Sequence, residues 1–307
     1  MRYIFATKYV RDIERTYLRH AAQSIKMDKY TIVLCLKGQT HREDADSVDR
    51  FIRIGLASYK KFMKLEDVHE IIVITPAKER ASIDGRLRTA GPEFPWNVLG
   101  ENELVDSSLT TGWAKQQTAK MAISKRIKTA IYLIIDDDTF AVRPFGIAQL
   151  MHGGRAKMNK TPIDFPFFFL WSAEVLGADF EGLVQPQPFH MAITPEIFVT
   201  EVVKNLIKTL EARHGAYPEW QKAIVNNKYT EYCVYWTHLL TLKKTDALYA
   251  TSPDAPALYA AATTGADHDL ASQLREAFAP EGTHIFSFVQ TSLPHTTDEI
   301  LRHITEW

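Results

Sequence analysis

The run Ala130-Ile131-Tyr132-Leu133-Ile134-Ile135-Asp136-Asp137-Asp138 constrains this chain more than any other segment. Its apolar, partly β-branched part reads as a short strand buried on both faces. Three carboxylates follow without a spacer, and acids cannot enter a core unpaired. The strand is therefore expected to end at a sheet rim and deliver the acids there. Adjacent ionised carboxylates repel one another and raise each other's pKa values. A hard divalent cation relieves that repulsion, because Mg2+ or Mn2+ takes carboxylate and phosphate oxygens together. On an extended chain Asp136 and Asp138 point one way and Asp137 the other, so the outer pair is expected to hold the metal. A solvated turn at the strand end is the plain alternative.

The rest of the first half alternates in the same style. Residues 30–36 (YTIVLCL) and 69–75 (HEIIVIT) read as buried strands, and 96–99 as a further short one. Between the first two, Val48, Phe51, Ile52, Gly55, Tyr59, Phe62 and Met63 mark one face of an amphipathic helix. A second helix is expected over 112–127. Strands alternating with helices predict an α/β fold with a mostly parallel sheet covered on both faces. Ligands of such sheets bind outside the carboxyl ends of the strands, which places Lys37-Gly38, Thr75-Pro76 and Asp136-Asp138 on one rim. The second half is more mixed. Residues 165–171 predict an aromatic strand, and Thr194-Pro195-Glu196 predicts a helix start, with capping threonine, first-turn proline and an early acid. A helix from Thr230, a strand over 286–290 and a last helix capped by Thr296 and Glu299 complete the reading.

Composition excludes several function classes. The formal net charge of the 307 residues is -1, so no global field favours nucleic acid or an anionic membrane. Two cysteines, Cys35 and Cys233, both in apolar runs, read as buried thiols and cannot build a disulfide framework or a cysteine zinc site. No apolar run approaches the ~20 residues of a spanning helix, and a soluble, cytoplasmic protein without a transmembrane segment is expected. Residues 1–28 are placed only as a helical leader or lid.

The segment IYLIIDDDTFAVRPF, 131–145, resembles the DxD region of glycosyltransferases with the GT-A (Rossmann-like) fold. Asp49, Gly112-Trp113 with Gln116-Gln117 and Lys120, Phe189-His190-Met191 and Thr230-Glu231-Tyr232 extend the resemblance to the bacterial and viral DUF6492-type branch. Together they span about 30–240. The resemblance implies one domain over 29–307, with a nucleotide-sugar-binding half (29–145), an acceptor-side half and C-terminal closure (146–307). It implies a metal-dependent transfer from a nucleotide-diphosphate sugar to a glycan or other hydroxyl acceptor. Asp136 and Asp138 would lie at a Mn2+ or Mg2+ ion, Asp138 as its direct ligand and Asp136 contacting the donor ribose or the metal. His284, just before the C-terminal strand, would be its third ligand, with His295 as a substitute.

Glu231 is the candidate base, since glycosyl transfer needs a group to take the acceptor proton. An acid in the first turn of a helix is also stabilised by the macrodipole with no catalytic role. His190 is the second catalytic candidate, against a packed structural histidine. Lys120 and Arg143 are candidates to neutralise phosphate, and Gln117 belongs to the same donor-side set. Thr75, Lys37 and Asp49 are candidates for the nucleoside end. Trp171, flanked by Ser172 and Glu174, is the candidate acceptor platform, although aromatics at these spacings also build cores. Competing classes fit less well. A haloacid-dehalogenase-type phosphatase needs a threonine or valine where Phe140 stands. A nucleotidyltransferase acting on sugar phosphates would carry more glycine than CLKGQTHRED does. A non-enzymatic sugar-binding protein would have no use for the metal.

Overall fold

The computed structural model describes residues 28–38, 46–109, 112–162, 166–179, 182–183, 189–191, 193–226, 230–252, 254–263, 269–290 and 295–304. The leader expected over 1–28 therefore lies, but for its last residue, outside the described residues. Four strands form as read. β1 (Tyr30–Cys35), β2 (Val68–Thr75), β3 (Trp96–Gly100) and β4 (Ile131–Ile135) are apolar and almost wholly buried. Such strands need cover on both faces, and helices supply it: α1 (47–62), α2 (Arg80–Ala90) and α3 (Gly112–Ala122).

The order in the five-stranded sheet is β6-β4-β1-β2-β3, where β6 is Glu196–Val199. Pairs β1–β2, β1–β4 and β2–β3 are parallel, and β6 joins the edge of β4 antiparallel. The fold is thus the expected α/β type with a mostly parallel sheet. Register sets the rim: Leu34 pairs with Ile135, Cys35 with Ile74, and Thr75 with Gly100. Lys37, Thr75 and Asp136 consequently emerge from neighbouring strands on one edge.

Helix α1 departs from the simple pattern because its middle, Phe51–Leu56, is π-helical. The wider turn shifts the buried face. Arg50, Ile54 and Ser58 are buried, while Ile52, Phe62 and Met63 are only half-buried. The helix clamps β5 (Thr139–Ala141), the strand leaving the aspartates. Tyr59 donates to the carbonyl of Thr139 (3.0 Å), and Ser58 Oγ accepts from the amide of Ala141 (2.9 Å). A Cβ on Gly55 would stand 3.2 Å from the Thr139 carbonyl oxygen and 2.8 Å from Phe51, so glycine lets the two backbones meet.

Two predicted elements change type. Residues expected as an aromatic strand form helix α4 (Pro166–Leu176). A short run that is apolar all round carries no period to separate the two forms. Thr194-Pro195-Glu196 does not start a helix. Glu196 opens β6, paired with Ile134, and helix α5 (Thr200–His214) begins after it. A free sheet edge takes the segment in place of the local cap signal. The other C-terminal elements are α6 (Glu219–Asn226), α7 (Glu231–Thr241), β7 (Tyr259–Thr263), α8 (Leu270–Phe278), β8 (Phe286–Val289) and α9 (Thr297–Ile304). Strand β8 lies between β7, parallel, and β5, antiparallel. Thr230 caps α7 through the Cys233 amide (3.1 Å), and Thr296 bonds the Glu299 amide (3.1 Å), both as read.

His238 is buried in α7, bonded to Asn205 Oδ1 at 2.8 Å. Burial lowers its pKa from the usual 6.5 to about 4. The unfolded chain binds the extra proton between those values, so His238 weakens the fold as pH falls through that window. The loss amounts to roughly 3 kcal/mol. Urea denaturation between about pH 7 and pH 4 checks this: a folded His238→Gln protein should lose that much less stability than wild type. Equal losses in the two proteins would contradict it.

Candidate active site

Asp136, Asp137 and Asp138 do not continue the strand. Asp137 and Asp138 occupy a turn closed by a bond from the Thr139 amide to the Asp136 carbonyl (3.1 Å). A turn breaks the two-residue alternation expected of an extended chain. Asp136 faces α3, where its Oδ1 meets Lys120 Nζ at 2.7 Å. Asp137 and Asp138 instead line one recess with Arg50, Ile54, Gly55 and Val289. Burial, with Asp136 alongside, raises the pKa of Asp137; the Ser47 hydroxyl opposes the rise, and Arg50 and Lys37 add to that opposition.

Lys120 is the centre of the other side. It is 2 % exposed, and its ammonium also lies 2.9 Å from Glu231 Oε1. Tyr232 completes the surround, with its hydroxyl 3.5 Å from Nζ and its ring centroid 5.4 Å away. Helix geometry explains the meeting. Gln117 and Lys120 are three apart on α3 and share a face, and Gln117 Oε1 accepts the backbone amide of Glu231 (3.1 Å). That bond docks the first turn of α7 so that its acid reaches the lysine.

Glu231 is completely buried, and its Oε2 has no hydrogen-bond partner among the described residues. Burial raises its carboxyl pKa above the usual range; Lys120 opposes the rise and Asp136 adds to it. For Lys120 burial works against the charge, but Asp136 and Glu231 outweigh it and hold the pKa well above the ordinary lysine value. The thiol of Cys35, beneath this cluster, is pushed up to about 12 by burial. Both cysteines are free and buried, as expected.

Several sequence candidates stand elsewhere. Asp49 is half-exposed on α1 and pairs with Arg53 at 3.5 Å, while its neighbours Ser47 and Arg50 are the ones that act on Asp137. Arg143 bonds the carbonyls of Ala277, Ala279 and His284, so it fastens the C-terminal segment instead of meeting phosphate. His284 Nε2 lies 2.9 Å from Arg143 and 2.8 Å from the Ala277 carbonyl. The β5–β8 register explains why it is not at the aspartates. The Asp138 carbonyl accepts the amide of Val289, and His284 is five residues earlier, about 16 Å along a strand. The backbone carbonyls of Val289 and His295 are instead held by Arg50, beside the aspartate turn. Arg50 was not singled out from sequence, and Tyr232 was named within Thr230-Glu231-Tyr232 without a role. Their signal, a charged residue next to a helix's apolar stripe and a tyrosine after the candidate acid, is too common to select them.

His190 is buried, with Nδ1 3.1 Å from the Met191 carbonyl and its ring 4.6 Å from that of Phe169. Cys233, two residues beyond Glu231, lies 3.7 Å from the same nitrogen. Trp171 is half-buried on α4 against Phe167 and Phe168. The Ser172 hydroxyl is turned back to the Phe168 carbonyl (2.6 Å) and offers nothing beside Trp171. Thr75 is buried at the rim with its hydroxyl unpartnered among the described residues. Lys37 lies on the same edge as Asp137. No group of three or more His, Cys, Asp or Glu able to hold a metal occurs among the described residues, and no helix there is long and apolar enough to cross a membrane.

Residues 27–307 match the family of unknown function DUF6492. The chain belongs to that family. None of the curated proteins matches it in sequence. Among solved structures it is similar to apo mouse xyloside xylosyltransferase 1, at 11% identity and a TM-score of 0.48, over 87% of this chain and 100% of that one. The galactosyltransferase LgtC, solved with donor and acceptor sugar analogs, gives 9% identity and 0.46 over 90% and 95%. A 4-diphosphocytidyl-2C-methyl-D-erythritol synthase from Anaerococcus prevotii gives 11% and 0.36 over 68% and 86%.

The ion pairs make a direct prediction for this DUF6492 protein. Lys120→Met leaves the Glu231 carboxyl buried without its cation, which costs roughly 3–5 kcal/mol. The double variant Lys120→Met/Glu231→Gln removes both charges and should recover most of that loss. Chemical denaturation of the three proteins measures it; a double variant no more stable than the single one would contradict the pairing.

Proposed function

We propose that this protein transfers a glycosyl unit from a nucleotide-diphosphate sugar to a hydroxyl of a glycan or other acceptor. The observation that carries the proposal is Glu231: a wholly buried acid with one unpartnered oxygen, linked through Lys120 to an aspartate at the carboxyl rim of a parallel sheet. That rim is where the ligands of such sheets bind. A buried carboxylate there is the kind of group whose proton affinity is raised toward the working range of a general base.

The donor set fits a hard cation. Asp136 and Asp138 offer carboxylate oxygens two residues apart in one turn, and the side chain of Asp136 is 34% exposed despite its bond to Lys120. Mg2+ is commonly held by one or two carboxylates, with water and substrate phosphates completing the shell. A three-residue cage is not required. Asp136 and Asp138 are therefore the residues proposed to hold Mn2+ or Mg2+, which when bound supplies charge to the departing diphosphate. Thr75 and Lys37 stand on the same rim, where the nucleoside end would lie. Glu231 takes the proton of the attacking hydroxyl at Oε2, while Lys120 holds Oε1. His190, packed beside the first turn of α7, orients that turn.

A panel of nucleotide sugars, assayed for hydrolysis and transfer with Mn2+ and after chelation, tests the reading. Asp138→Ala and Asp136→Asn should each abolish metal-dependent turnover of the donor with the fold intact. At saturating Mn2+, Glu231→Gln should still bind the donor and lose transfer by about 100-fold or more, the range of one general base. Full transfer activity in Glu231→Gln removes it from that role. A nucleotidyl product formed from a sugar phosphate and a nucleoside triphosphate would replace the reading with the nucleotidyltransferase one.

A further inference from the structure

Lys120 is placed unlike a residue that clamps phosphate. Its ammonium is almost fully enclosed, and both of its close contacts are carboxylates on different parts of the site: Asp136 at 2.7 Å and Glu231 at 2.9 Å. The third neighbour is the Tyr232 hydroxyl at 3.5 Å. An ammonium has three donors and no acceptor. With water excluded, whatever one carboxylate gives up the other must take. We propose that Lys120 is a positioning residue that couples cation capture at Asp136 to the setting of Glu231.

The coupling follows from charge. A divalent cation drawn to Asp136 competes for the same oxygens and repels the ammonium beside them. Lys120 then bears more fully on Glu231 Oε1. That fixes the carboxylate while Oε2 remains the atom directed to the acceptor. This inference rests on the metal reading of Asp136, but concerns Lys120 and can fail alone.

Binding of Mn2+ alone, followed by the electron paramagnetic resonance signal of the free ion, tests it in four proteins: wild type, Glu231→Gln, Lys120→Met and the double variant. In Glu231→Gln the ammonium rests wholly on Asp136, and Mn2+ affinity should fall about tenfold. In the Lys120→Met background the same change should have no effect. A fall of equal size in both backgrounds would assign it to the through-space field of Glu231 and overturn the coupling, as would no change in either. Wild-type protein that binds no Mn2+ overturns the metal reading itself and takes the coupling with it.

Thermal denaturation verifies that each variant is folded. If Lys120→Met does not fold, the carboxyl 13C resonance of Glu231, assigned by its loss in Glu231→Gln, supplies the readout. It should move in wild type on saturation with Mg2+; a stationary resonance overturns the proposal.

Discussion

A buried ammonium shared by two carboxylates ties this structure together. Lys120 arrives from α3, Asp136 from the end of β4 and Glu231 from the first turn of α7, so one charge cluster joins α3 to two segments 16 and 111 residues farther along the chain. Charge removed from water is costly unless it is paired, and breaking such a pair costs more than the pair contributes. The segments must therefore keep their relative positions, and the surrounding bonds serve that end. Gln117 receives the Glu231 amide, Tyr132 donates to the Lys120 carbonyl at 3.0 Å, and Ser58 and Tyr59 hold the strand that leaves the aspartates.

The division of the aspartates follows from the same arrangement. Because the chain turns after Ile135, Asp136 meets Lys120, the partner of Glu231, while Asp137 and Asp138 line a recess with Arg50. Arg50 also holds carbonyls on either side of the approach to α9, which attaches the C-terminal segment beside the turn. Under the proposed transfer, this short piece of backbone is where donor and acceptor would meet. The candidate site of this DUF6492 chain draws its parts from both halves of the sequence.

Much of the fold was legible because parallel strands buried on both faces read as unbroken apolar runs. β1, β2 and β4 stand out by that signal, and their order puts Lys37, Thr75 and Asp136 on one edge. Where the signal is ambiguous, reading failed. The run around Phe167–Trp171 is apolar on every side and forms a helix, and Glu196 went to a sheet edge that no local cap could reveal. The candidate site was legible in its types more than in its partners. Asp136, Gln117, Lys120 and Glu231 come together as a set, but the burial of Lys120 depends on two acids far away in sequence. His284 failed for a matter of register: the β5–β8 pairing slides it down to Arg143. Pairing partners at that separation leave no periodic trace.

The central claim is that the Asp136–Lys120–Glu231 cluster marks the place where an activated sugar is bound and attacked. Crystals soaked with Mn2+ and a hydrolysis-resistant nucleotide sugar test it most directly. The account predicts an anomalous manganese peak on Asp136 and Asp138, the diphosphate bridging it, and the sugar's anomeric carbon facing Glu231 Oε2. Manganese or nucleotide bound elsewhere, with Lys120 unmoved between its two carboxylates, would contradict it.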